Sequence, residues 1–220
     1  MKRVLALWIC SSMAFGGVKW KTTTVVLEVH PLQGIAPVVF HYANVGSESV
    51  VITEVKVNCG CLVPEKEFEP LPPGGRGDLK IDFDLFNRMG PQRKIITVKT
   101  SDGATERLSI VANLPETYDI APRLMKILST GPSSNTAVLK NKSPMPLPLQ
   151  SVESSNEQIH AELVCIKEGF EYAVVVTPLD IHENHRAIIR IFPKMPAGLT
   201  EVKTFKFYVF ASKQDPPAQP

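Results

Sequence analysis

The chain is poor in the features that most readily assign a function. None of its 220 residues belong to an apolar run approaching the roughly 20 needed to cross a bilayer, so no membrane span is expected. An excess of one charge is also missing. Lys and Arg total 24 against 22 Asp and Glu, and Lys2 and Arg3 alone account for the formal +2. A chain so balanced carries no electrostatic footprint for nucleic acid. No G-x-S-x-G nucleophile elbow, phosphate loop, H-E-x-x-H helix or dinucleotide fingerprint occurs, so neither an enzyme nor a cofactor is expected. Glycine, at 13 residues, is outnumbered by 19 prolines, which excludes long helices and points to short strands separated by turns. A hydrophobic content of 44% with 21% charged residues is that of a chain with a real core, which excludes disorder.

The first 17 residues have the three parts of a secretory signal. Lys2 and Arg3 precede the apolar stretch Val4 to Cys10, and small residues close it at Ser11, Ser12, Ala14, Gly16 and Gly17. Cleavage after Ala14 or after Gly16 satisfies the small-residue rule at positions −3 and −1. Ile9 stands before Cys10 where a lipoprotein signal needs a small residue, so lipidation is disfavoured. The expected compartment is therefore the periplasm, the cell surface or the secreted medium.

Beyond the leader, short apolar or alternating runs recur at 25–29, 38–42, 50–57, 79–83, 95–100 and 108–112, each of strand length. Leu79, Ile81 and Phe83 alternate with Lys80, Asp82 and Asp84, placing one face on a core and the other in water. Asp102-Gly103 suits a tight hairpin, and Leu71-Pro72-Pro73-Gly74-Gly75 forces a turn. A second set follows at 137–139, 147–152, 160–166, 172–176, 187–192 and 205–210. The pattern predicts an all-β protein of two tandem immunoglobulin-like β-sandwiches, 18–116 and 117–212, with a disordered proline-rich tail at 213–220. Two internal echoes suggest duplication. Phe40 to Ser47 parallels Ala137 to Ser143, each an outgoing strand ending in an Asn-containing turn, and Asn87 to Gly90 parallels Pro193 to Gly198.

The first half carries Phe40 to Asn44, Gly46, Val51-Ile52, Asn58-Cys59-Gly60-Cys61, Pro72-Pro73-Gly74-Gly75, Asp82-Phe83-Asp84, Arg88 and Gly90. Over about residues 36–114 this resembles the bacterial family called domain of unknown function 1573. The resemblance implies an exported immunoglobulin-like sandwich with a Cys-Gly-Cys segment and no established activity. Asn58 and Leu62 stand where the family pattern usually has Ser and Thr.

Cys59, Gly60 and Cys61 form the sharpest motif, and three readings stay open. Both thiols can be small buried hydrophobes. Export can join them in a disulfide across Gly60, whose lack of a side chain lets the backbone bend. Two thiolates can hold Cu(I) or Zn(II), although no second Cys or His pair lies nearby, so no metal site is assigned. His30 and His41 bear on this only if their strands neighbour the cysteines. Cys165, in the apolar run Leu163 to Ile166, is expected to be a buried free thiol. His182-Glu183-Asn184-His185 lacks the spacing of a helical metal motif and reads as a solvated hairpin turn. Asp82 and Asp84 read as the wet face of a strand, not as a catalytic pair.

These observations point to a non-enzymatic structural or interaction module of the cell envelope. It is expected to bind a protein or surface glycan through loops or sheet edges. Asn44, Cys59, Gly60 and Cys61 are its candidate binding residues. The alternative is thiol-redox or soft-metal chemistry at Cys59 and Cys61.

Overall fold

The computed structural model describes residues 17–131, 133–180 and 183–213, all of it strands, turns and loops. The proposed leader, apart from Gly17, and the tail after Lys213 lie outside the described residues. The first half contains β1 (Val18–Trp20), β2 (Thr24–Leu27), β3 (Ile35–Asn44), β4 (Ile52–Val57), β5 (Leu62–Pro64), β6 (Arg76–Asp84), β7 (Gly90–Thr100) and β8 (Thr105–Leu114). The second contains β9 (Tyr118–Ala121), β10 (Leu124–Leu128), β11 (Asn135–Asn141), β12 (Leu149–Ser154), β13 (Ile159–Lys167), β14 (Glu171–Pro178), β15 (His185–Pro193) and β16 (Phe205–Ser212).

Four sheets result, with strand orders β1-β3-β6-β5 and β2-β8-β7-β4, then β9-β11-β14-β13 and β10-β16-β15-β12. The two halves share one topology. The first, third, sixth and fifth strands of each half form one sheet, and the second, eighth, seventh and fourth form the other. With the opening strand divided between the sheets, this is the order of an immunoglobulin-like sandwich. Both halves also carry an irregularity at the start of the fourth strand, between Ile52 and Glu54 in β4 and between Leu149 and Ser151 in β12.

Alternation explains why these segments are strands. In β6, Leu79, Ile81 and Phe83 are buried while Lys80 and Asp82 are exposed, so an extended backbone keeps every aliphatic side chain out of water. The first half buries Val38, Phe40, Ile96, Val98, Leu108 and Ile110 in the same way. In the second, Ile127, Leu139, Val174, Ile189, Phe207 and Val209 belong to one core cluster. By compactness the chain divides into one unit comprising the described residues through Val26 with 37–82 and 93–111, and another comprising 27–36, 83–92 and 112 onward.

Among the described residues each half holds eight strands where six runs were expected. The additional ones are β1 and β5 in the first half, and β9 and β10 in the second, none longer than five residues. The second proposed echo does not belong to the duplication. Residues 87–90 follow the sixth strand of their half, whereas 193–198 follow the seventh.

Candidate functional site

The Cys-Gly-Cys segment lies where the chain leaves β4 in one sheet and enters β5 in the other. Cys59 and Cys61 are joined by a disulfide with their Cα atoms 5.2 Å apart. Cys61 is buried and Cys59 half-buried, while Asn58 and Gly60 are exposed. Gly60 has no left-handed φ, and a Cβ there would meet nothing within 4 Å. The bend the sequence seemed to require of Gly60 is thus one that other residues can adopt. The bridge closes the sheet change, and the following β5 is a three-residue strand ending at Pro64.

Asn44 is buried at the end of β3 and turns its amide inward. Its Nδ2 donates to the carbonyls of Glu48 (2.7 Å) and Leu71 (2.8 Å), and its Oδ1 accepts from the Gly46 N–H (2.9 Å). Asn141, at the end of β11, repeats the set. Its Nδ2 donates to Met145 and Gly169 O at 2.8 Å each, and its Oδ1 accepts from Ser143 N–H at 2.8 Å. The matching partners explain the echo between the two turns: in each half one asparagine joins the third-strand turn to the loop before the sixth strand. Asn44 therefore holds a loop together from within, and its polar atoms are not directed at solvent.

The first half carries two other polar arrangements. Asp102 closes the β7–β8 hairpin by accepting from Thr100 Oγ1 (2.6 Å) and Ala104 N–H (3.2 Å) through Oδ1, and from Gly17 N–H (2.6 Å) through Oδ2. The Thr100 hydroxyl, followed by these amides, lowers its pKa against the opposing effect of desolvation. His41 on β3 meets Asp78 on β6 at 2.6 Å on the surface, beside a groove of about 530 Å³ whose walls include Trp20 and Tyr42. His30 instead accepts the Leu32 N–H through Nδ1 (3.1 Å).

In the second half, β13 lies at the edge of its sheet and pairs with β14. Cys165 corrects the sequence-based expectation of a buried thiol, for it is exposed. The strand is irregular between Cys165 and Lys167, and burial is confined to its start, so apolar composition here does not mean a core position. The thiol donates to Glu168 Oε2 (3.2 Å), and that carboxylate raises its pKa. Val164 and Ile166 are 39% and 56% exposed. Of the His182 to His185 segment, His182 lies outside the described residues, Glu183 is exposed and His185 opens β15 half-buried.

Residues 18–114 match the family described as Protein of unknown function (DUF1573), so the resemblance read from the first half extends upstream through β1. A comparison with curated proteins finds no match. Similar solved structures include the ASH / PapD-like domain 7 of human CEP192, 10% identical with a TM-score of 0.41, covering 53% of this chain and 99% of that one. Another is a protein of unknown function from Porphyromonas gingivalis W83, 13% identical with a TM-score of 0.36, covering 88% and 99%. A third is the Pseudomonas aeruginosa CupB2 chaperone, 10% identical with a TM-score of 0.33, covering 86% and 99%.

Proposed function

With residues 18–114 matching a family of unknown function, we propose that the protein is an exported, non-enzymatic interaction module of the bacterial cell envelope. In this reading it binds a protein partner by strand addition along β13. One observation carries the proposal. Among the described residues eight strands lie at sheet edges, and seven of them are three to six residues long, whereas β13 has nine. Native sheets usually protect their edges with short strands, proline or charge, because a long open edge offers unpaired backbone groups to another chain. The first half follows that rule at the corresponding position, where β5 is cut to three residues between the Cys59–Cys61 disulfide and Pro64. Along β13, by contrast, the outer half exposes Val164, Cys165 and Ile166. An extended peptide would gain main-chain hydrogen bonds there and set its aliphatic side chains against these.

Export is supported by the form of the first 17 residues and by the disulfide, which suits an oxidising compartment. The test is the double substitution Val164→Lys, Ile166→Lys. Both side chains are exposed, so stability should change by no more than about 0.5 kcal/mol per site. Charge on the edge should abolish co-purification of the partner from cross-linked envelopes. Retention of the same partner at the same yield would refute strand addition at β13.

A further inference from the structure

The connection between β14 and β15 brings together three side chains that the proposed edge binding does not use. A ligand atom of each of Asp180, Glu183 and His185 lies within 4.8 Å of the others. Glu183 and His185 fall in the segment that the sequence reads as a solvated turn, and folding adds Asp180 to them.

A second, independent observation comes from the imidazole. His185 Nε2 is shut off from solvent and has no hydrogen-bond partner. Buried polar atoms are nearly always satisfied, and an unsatisfied one calls for an explanation such as an ion. The carboxylates supply the complementary reason. Two acidic groups this close repel each other, and Glu183 forms no ion pair among the described residues. A divalent cation held among the three ligand atoms would offset the Glu183 charge and occupy the imidazole side of the cluster.

We propose that Asp180, Glu183 and His185 form a binding site for a divalent transition-metal ion of the zinc class. The donor set selects the ion. One nitrogen and two carboxylates suit Zn(II) and its neighbours, whereas Ca(II) and Mg(II) favour all-oxygen sites and Cu(I) favours sulfur. The side chains are graded in exposure. Glu183 is open to solvent, and Asp180 and His185 are half-buried, so the ion would enter past Glu183.

The test is calorimetric titration of the full chain, disulfide intact and without an affinity tag, with zinc chloride and separately with calcium chloride. One equivalent of zinc should bind, with calcium at least about tenfold weaker. Glu183→Gln and His185→Asn should each weaken zinc binding by about tenfold or more, and Cys165→Ser should leave it unchanged. The His185 ring resonances should shift on adding zinc to the unsubstituted chain. Absence of saturable binding, calcium binding as tightly as zinc, or loss of binding in Cys165→Ser would overturn the proposal. So would a change below about twofold in Glu183→Gln. That variant alters an exposed side chain, so it decides the matter even if His185→Asn fails to fold.

Discussion

Replacing Asn44 by Ala tests the loop architecture at the residue that does most to hold it. The substitution removes three hydrogen bonds, to Glu48 O, Leu71 O and Gly46 N–H. Each bond contributes about 1 kcal/mol net, and the cost rises where a buried partner is left unsatisfied. The three partners differ in that respect. Leu71 O keeps the Val50 N–H at 3.0 Å, whereas exposed Glu48 and half-buried Gly46 turn to water. The loss is therefore about 2–3 kcal/mol, near the simple sum and without a large orphan penalty. For a domain of this size that lowers the melting temperature of the first-half transition by roughly 10–15 °C. Asn141→Ala removes the corresponding three bonds from a less buried side chain, and should cost about 1–2 kcal/mol. Calorimetry and urea unfolding of both variants measure the effect. A change below about 0.5 kcal/mol for Asn44→Ala, or a larger loss for Asn141→Ala, would refute the reasoning.

Four further outcomes follow from the structure. The folded state lowers the pKa of Asp102, so its stabilisation is present above the unfolded value near 4 and is lost as the pH falls through the depressed folded value; Asp102→Asn should flatten that part of a stability–pH curve. Lys203 is 4% exposed, and desolvation lowers its pKa against the opposing attraction of Asp84, so stability should rise as the pH climbs from the lowered folded value toward the unfolded value near 10.5, a rise that Lys203→Met should remove in urea unfolding. Gly60→Ala should leave both stability and the disulfide intact within about 0.5 kcal/mol, as read by melting and by thiol counting, because the added methyl group meets nothing. Cys165 should react with iodoacetamide in the folded protein, and Glu168→Ala should speed that reaction by lowering the thiol pKa.

Much of the fold was legible because most strands alternate or stay apolar over at least five residues. The strands that were not recognised are short. β9 is bracketed by Pro115 and Pro122, and β1 abuts the proposed leader, so neither gives a long period. β10 did carry a usable signal, since Met125 and Ile127 are buried on either side of exposed Lys126. The site was harder to read, because a sheet edge is a property of topology and not of local pattern. Leu163 to Ile166 has the composition of a core strand, yet its place at the end of β9-β11-β14-β13 exposes Val164, Cys165 and Ile166. Asn44 was legible as special but not as inward-facing, for its partner Leu71 lies 27 residues further along the chain, beyond the reach of any local pattern.

The long edge at β13 contrasts with the three-residue edge at β5. A photo-reactive amino acid placed at Val164, and in a parallel strain at Val63, which is 57% exposed on β5, tests that contrast in intact cells. Strand addition at β13 should give one discrete cross-linked protein from position 164 and none from position 63. Equal cross-linking from both positions, or none from 164, would contradict it.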